Sequence, residues 1–486
     1  MIGLNKNFNK FIIFTLKILM FILVIVSVGT IYKLYNGLNF ESILTLLIYL
    51  LTTLVLSGII ISNKINKNIK LILILGLALL IRGMWLINVN SIPTSDFKTM
   101  YSGAERLLSG DNSIFYNNSY FARFPHLTLM VLYMAFMKKL FPINNLIVMK
   151  FNNLIFGILI VFLIYLIIME IFKNEKYALY GAAITALFPP LVMYVAVFCT
   201  ENIAMNFYLL SLLIFLKALK SKKRIILISL SGITLAIGNL FRMVAVIMII
   251  AYVMYVIIYD INKIKDKIKY ILSLVLSYIF VILIVSFTLQ GLGITENPLW
   301  RGSEPNITNV LKGTNIEHGG RWNADDAKIP ELYNYDYEKI EKASKNIIIS
   351  RFKNTPVLEL GRFYIEKFAF QWNKGDMGGV YWSILDVSED KIIVDLSKGG
   401  EEVLQVFYVI ILILVSIGLF NKSLIKRYKE INLIYIILCG YGLSYLITES
   451  QDRYSYIVCW IFILLAIVGI DYIKTRRLRY NEKIYK

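Results

Sequence analysis

Apolar runs separated by short polar breaks fill almost the whole chain, and they set its architecture before any motif is considered. Runs near 11–32, 41–62, 70–88, 146–172, 177–198, 200–219, 224–240, 241–259, 270–290, 401–420, 431–448 and 454–472 predict about twelve transmembrane helices. Residues 292–400 form one sizeable polar insertion. The apolar stretch 126–141 is short and ends in Lys138-Lys139; as a span it would put every later basic cluster on the other side. It is expected to lie in the interface. The expected fold class is an all-α polytopic membrane protein with about twelve transmembrane helices, interfacial helices and one mixed extracytoplasmic loop domain. The expected divisions are N-terminal transmembrane helices (1–88), a first outer loop with interfacial helices (89–141), a transmembrane core (142–291), the loop domain (292–400), C-terminal transmembrane helices (401–473) and a basic tail (474–486).

Composition agrees. Of 486 residues, 58% are hydrophobic and 17% charged, against about 45–50% and about 25% in soluble domains. Charge then supplies orientation. The formal charge is +19, yet the 292–400 insertion is slightly acidic at −2, leaving +21 in short clusters between apolar runs. Such clusters include Lys217 to Arg224, Lys263 to Lys269, Lys422 to Lys429 and the tail Lys474 to Arg479. Short basic loops stay cytoplasmic. With the N-terminus inside, every one of these clusters falls inside, together with the C-terminus. The segments 89–125 and 292–400 and the turn Glu449–Arg453 then lie outside the plasma membrane. The first run, 11–32, has no small-residue cleavage pattern and is expected to be a retained anchor. Nucleic-acid binding is not needed to explain the charge. The three cysteines lie in or beside apolar runs and the two histidines are far apart in sequence, so neither a disulfide framework nor a His-based metal site is expected.

Polar residues at membrane depth usually serve function, which narrows the candidates. Asp96 stands just past a membrane exit, before apolar positions Met100, Ala104, Leu107 and Leu108 on one helical face. Capping that helix would by itself explain an aspartate there. Arg123 precedes Phe124-Pro125-His126 at the start of the 126–141 helix, a cation at the wrong end of the dipole, and so needs an anionic partner such as a lipid phosphate. Glu201 follows Phe188-Pro189-Pro190 and Thr200 at the mouth of two spans, as a cap or a site acid. Arg242 closes Ser231 to Phe241, a glycine-containing break in a long apolar run, with nothing local to pair with. The insertion holds four of six tryptophans, Trp300, Trp322, Trp372 and Trp382. Its stretch Gly319-Gly320-Arg321-Trp322-Asn323 offers rings and amides of the kind that bind sugars, although interfacial anchoring also accounts for tryptophan. Arg453-Tyr454 opens the last span.

In this order and on one predicted side, these residues resemble the GT-C superfamily of polytopic glycosyltransferases. The likeness is to the branch of aminoarabinose transferase and the protein O-mannosyltransferases (glycosyltransferase family 39-like), in its Gram-positive form. It rests on Ser95-Asp96 with Tyr101 and Ala104, Arg123-Phe124-Pro125, Pro189-Pro190 with Thr200-Glu201, Gly238 to Arg242, and Arg453-Tyr454. The chain departs from such relatives in two extra N-terminal spans, in Arg123-Phe124-Pro125-His126 where they carry Lys-Pro-Pro or His-Pro-Pro, and in Phe97 where some carry a second acid.

The resemblance implies an inverting transferase that takes a sugar from a polyprenyl-phosphate donor at the outer face of the membrane. Asp96 would be the catalytic base and Glu201 a second catalytic acid, with Arg123 and Arg242 on the lipid phosphate. Tyr101, His126, Trp322, Asn323, Arg453 and Tyr454 would contact substrate. No metal site is implied by any ligand cluster, while a divalent cation between Asp96 and Glu201 stays open. The acceptor is a glycan, a lipid or a protein. A flippase or transporter of lipid-linked saccharides, or a polymerase or ligase using them, is the alternative. The transporter would call for polar residues at mid-membrane depth and inverted repeats, which the sequence lacks.

Overall fold

The computed structural model describes residues 2–484. Three helices, α1 (Ile2–Leu34), α2 (Phe40–Ile61) and α3 (Lys67–Val89), precede an amphipathic α4 (Ser95–Leu108) and a short α5 (Thr128–Leu140). The long α6 (Asn145–Phe172) leads to α7 (Glu175–Leu187), the one-turn α8 (Pro189–Met193) and α9 (Glu201–Ala218). Next come α10 (Arg224–Phe241), α11 (Ala245–Tyr259) and α12 (Ile264–Gly291). The insertion supplies α13 (Ile307–Gly313), α14 (Tyr337–Asn354) and α15 (Val357–Trp372), among shorter turns. Then α16 (Glu401–Gly418), α17 (Ile431–Ile447), a 3₁₀ segment Asp452–Val458 and α18 (Trp460–Ile484) follow.

Every predicted span is helical, but the count differs. Among the described residues eight helices are long and apolar enough to cross a membrane, or up to ten if two bent pairs each count as one span. The remaining two predicted spans became α11 and α17, of 15 and 17 residues. At 1.5 Å per residue these reach only about 22–26 Å, short of a hydrocarbon core of about 30 Å. A second correction concerns the insertion. Among the described residues it contains helices and turns and no strand, so the loop domain is helical where a mixed one was expected. Its glycine-, asparagine- and tryptophan-rich stretches are spent on turns and caps, leaving no alternating run of the length a strand needs.

The bundle packs α9 against α6 and α10, α10 against α12, and α16 against α1 and α18. The first turns of α18, Trp460 to Val468, are buried on all sides, as expected of a helix at the centre of a bundle. Here α16 and α18 cross closely. A Cβ on Gly469 would collide with the Leu414 carbonyl, and one on Gly418 would lie 2.9 Å from the Gly469 nitrogen. Small residues at such crossings let backbones approach and gain dispersion contacts.

The insertion is sewn to one end of the bundle, its loop face. Lys367, buried on α15, donates to the carbonyls of Gly313 (2.5 Å), Leu446 (2.9 Å) and Thr448 (2.7 Å). Three acceptors match the three protons of an ammonium. Nearby, the Ser450 nitrogen donates to the Gly320 carbonyl at 2.8 Å and the Gln371 amide to the Gln451 carbonyl at 2.7 Å. These bonds fix the turn that delivers Arg453.

Replacing Gly469 by leucine forces α16 and α18 apart. The variant is expected to lose about 1–3 kcal/mol of stability by overpacking, read as a lower unfolding temperature in detergent; an unchanged transition would refute the close crossing.

Candidate functional site

The site begins with the first residue of α4. Ser95 has φ +48°, a left-handed conformation that costs a non-glycine residue of order 1–3 kcal/mol. Thr94 occupies the cap position, so Asp96 falls inside the first turn and its carboxylate is free of the capping role. The side chain is 46% exposed. Its Oδ1 accepts the Tyr120 hydroxyl at 3.0 Å, and its Oδ2 lies 3.7 Å from Arg453 Nη2. Burial and the neighbouring Asp96 charge raise the Tyr120 phenol above its ordinary range, so it remains a donor.

Arg453 is the centre of the arrangement. It is 5% exposed and packs beside an edge-on pair of rings, its guanidinium carbon 4.8 Å from the Trp382 centroid and 5.0 Å from that of Phe97. Its Nε and Nη1 find no hydrogen-bond partner among the described residues. A guanidinium has five N–H donors and keeps its charge, so this one holds donors in reserve beside Asp96.

The second half of the site comes from two helix breaks. Glu201, the first residue of α9, is 1% exposed; its Oε2 accepts the Thr200 hydroxyl at 3.0 Å, and its Oε1 lies 3.4 Å from Arg242 Nε. Arg242 occupies the break between α10 and α11 in an extended conformation. Asn239 Oδ1 accepts the Ala245 N–H at 3.1 Å, capping α11, while the Tyr208 hydroxyl donates to the Arg242 carbonyl. The guanidinium is thereby held 5.0 Å from the Tyr454 ring centroid. Tyr454 itself donates to Glu449 Oε1 at 3.0 Å. Two carboxylates and two arginines therefore alternate around one point of the loop face.

The remaining candidates divide. His126 stands near this cluster, partly buried, next to an apolar cavity of about 360 Å³ lined by Leu129, Leu240, Met243, Ile282, Leu299 and Trp300. A second cavity, about 430 Å³, opens beside α4; Ser95, Lys98, Thr99, Ser102 and Tyr120 line it together with the apolar Ile114 and Phe121. Arg123 has a protein partner that the sequence did not reveal. Its Nε and Nη2 reach Glu304 Oε2 at 2.8 and 2.6 Å, and Ser303 N–H donates to the Ala122 carbonyl at 2.9 Å. Tyr101 points away to Asn145 Oδ1 (2.7 Å) beneath Lys138. Trp322 is exposed, and Asn323 caps a short helix by accepting the Asp326 N–H at 2.9 Å. No hydrogen bond or ion pair among the described residues joins either of them to Asp96, Glu201, Arg242 or Arg453. Among the described residues no group of three or more His, Cys, Asp or Glu side chains gathers as a metal-ligand set.

Sequence reasoning missed Tyr120 and the role of Trp382, because neither carries a pattern of its own. It also missed Arg82, although an arginine inside an apolar span is itself a signal.

Burial, reinforced by Arg242, pushes the His126 imidazole down from 6.5 to about 4. Between those values the unfolded chain binds a proton that the folded chain refuses, so stability falls as pH drops from about 6.5 toward 4. Replacing His126 by glutamine is expected to remove that part of the acid sensitivity, measured as unfolding temperature in detergent at about pH 5 and 7.5. An unchanged pH dependence would refute the neutral imidazole.

Comparison with known proteins places the chain. Residues 125–286 match the family model for dolichyl-phosphate-mannose-protein mannosyltransferase. That stretch holds His126, Glu201 and Arg242, with Asp96, Arg123 and Arg453 on either side of it. No curated protein sequence matches the chain. The structure is similar to the apo crystal structure of the Archaeoglobus fulgidus oligosaccharyltransferase, at 13% identity and a TM-score of 0.49, over 85% of this chain and 52% of that one. It is also similar to the archaeal oligosaccharyltransferase AglB from Archaeoglobus fulgidus in complex with an inhibitory peptide and a dolichol-phosphate, at 13% identity and a TM-score of 0.31, over 78% and 56%. The chain spans about half the length of these proteins. The family match thus covers 125–286, one third of this multi-pass, all-helical chain.

Proposed function

We propose that the chain is an inverting glycosyltransferase acting at the outer face of the plasma membrane. It transfers a sugar from a polyprenyl-phosphate donor to a hydroxyl of a glycan, lipid or protein acceptor. The observation that carries this reading is the pairing of a half-exposed carboxylate, Asp96, with a buried arginine, Arg453, that has donors to spare.

The chemistry follows from charge. The bond between the sugar C1 and the phosphate oxygen breaks, and its electron pair leaves with the phosphate. Polyprenyl phosphate is a stable anion, so no acid need protonate it; cations must bind the charge as it develops. Arg242 and Arg453 supply them, with Glu201 holding the two guanidinium groups apart and in place. On the opposite face of the ring an acceptor hydroxyl forms the new bond to C1 and gives its proton to Asp96. A single carboxylate suits in-line displacement with inversion through an oxocarbenium-like transition state. Tyr120 keeps that carboxylate turned toward the cluster.

The cavities agree with this division. The apolar one beside His126 and Met243 suits the prenyl chain nearest the phosphate, and the one beside Ser95 and Tyr120, where hydroxyls border apolar surface, suits the acceptor. Arg123, already paired with Glu304, serves the phosphate only when that pair opens. In this state it holds the insertion against the first loop.

Replacing Asp96 by asparagine preserves shape and removes the base. The expected loss is about 10²–10⁴-fold in kcat, with donor binding retained, measured by release of polyprenyl phosphate from a panel of polyprenyl-phosphate sugars. Full activity in this variant would sink the assignment. Replacing Arg453 by methionine is expected to weaken inhibition by the product polyprenyl phosphate by at least about tenfold, in line with a lost charged hydrogen bond of about 1.5–3 kcal/mol. Unchanged product inhibition would remove Arg453 from the phosphate site.

A further inference from the structure

The chain places an arginine, Arg82, fully buried in the middle of α3, with no carboxylate among its hydrogen-bond partners. Its partners are carbonyls. Nη1 donates to Ala186 O at 3.0 Å and to Ala78 O at 3.3 Å, and Nη2 donates to Thr185 O at 3.0 Å. The two carbonyls on α7 are not arbitrary. Pro189 and Pro190 stand four residues after Thr185 and Ala186 and have no N–H to give them. An orphaned carbonyl in a low-dielectric interior costs about 1–3 kcal/mol, so two in succession demand replacement donors. The third carbonyl at this helix end, Leu187, accepts the Tyr49 hydroxyl at 3.1 Å.

One turn further along α3, Trp85 Nε1 donates to Met193 O at 2.9 Å, at the end of α8. Beyond it the 3₁₀ turn Tyr194–Ala196 and the residues leading to Glu201 are also held through their backbone. Asn153 Nδ2 donates to Val195 O (3.2 Å) and Val197 O (3.1 Å), and Asn202 Nδ2 to Tyr194 O (2.9 Å) and Val197 O (2.8 Å). The broken helix thus turns by 62° on a fixed pivot before it reaches the site.

We propose that Arg82 is a positioning residue for this transferase: its guanidinium replaces the two N–H groups that Pro189-Pro190 remove, and so sets the bend that brings Glu201 to Arg242. The effect on the reaction rests on the function proposed above; the effect on the bend does not. Leucine at position 82 leaves both carbonyls bare, whereas glutamine returns an amide with two donors and no charge. Arg82→Leu is therefore expected to lower kcat by about ten- to a hundredfold, with Arg82→Gln recovering part of it. In an enzyme already carrying Glu201→Gln, Arg82→Leu should cost less than about twofold, because residues acting through one another are not additive.

Cys199, buried two residues before Glu201, gives a readout independent of catalysis, with buried Cys459 as its control. Maleimide labelling followed by peptide mass spectrometry is expected to rise severalfold at Cys199 in Arg82→Leu and not at Cys459. Where Arg82→Leu fails to fold, Tyr49→Phe removes one donor from the same helix end and is expected to raise Cys199 labelling to a smaller degree. Unchanged Cys199 labelling, an equal rise at Cys459, or an undiminished kcat loss in the Glu201→Gln background would each overturn the proposal. If the wild type consumes no polyprenyl-phosphate sugar, the functional reading fails, and the labelling still decides the role of Arg82.

Discussion

A guanidinium cannot give up its proton and cannot be left alone in a medium of low dielectric, and that constraint organises this protein. Arg453 meets it with the rings of Phe97 and Trp382 beside it and with Asp96 close by; Arg242 meets it with Glu201. Arg82 meets it with backbone carbonyls, and Arg123 with Glu304. Each solution joins parts of the chain that are distant in sequence. Since a desolvated charge that loses its partner costs several kcal/mol, these pairs fix the geometry of the loop face more firmly than dispersion among apolar helices could.

The arrangement also divides labour between rigid and responsive groups. Lys367 and Asn202 have their donors fully engaged by backbone carbonyls and hold the frame. Arg453 retains unused donors, and Asp96 retains solvent access. Polar groups left short of partners are where binding a charged ligand gains most, because the protein has already met the cost of desolvating them.

Much of this was legible in the sequence. Apolar runs located every long helix outside the insertion, whose α14 and α15 went unread, and the glycine-containing run before Arg242 announced the break between α10 and α11. Asp96, Glu201 and Arg453 read as candidates because each stands where a span meets an outer segment, and Arg242 because it is charged where its neighbours are apolar. What escaped was pairing across distance. Nothing near Arg123 reveals Glu304, 181 residues away, and nothing near Pro189-Pro190 reveals that α3 will supply the missing donors. Span counts failed at α11 and α17 because hydropathy measures apolarity and takes no account of helix breaks. The insertion was misjudged because tryptophan, glycine and asparagine serve turns and helix caps as readily as strands.

The distances in sequence have a consequence for biosynthesis. Asp96 gains its cationic neighbour only from residue 453, and the first loop gains its Arg123 clasp only from residue 304. A ribosome adding about 5–20 residues per second leaves the loop bearing Asp96 outside its final pairing for many seconds after it is made. During that interval the early helices can insert and pack while the carboxylate lacks its counter-charge. Nascent chains halted before Arg453 would therefore carry most of the membrane bundle and the Glu201–Arg242 pair, with Asp96 still lacking its counter-charge, which makes synthesis of the last helices the event that completes the charge centre.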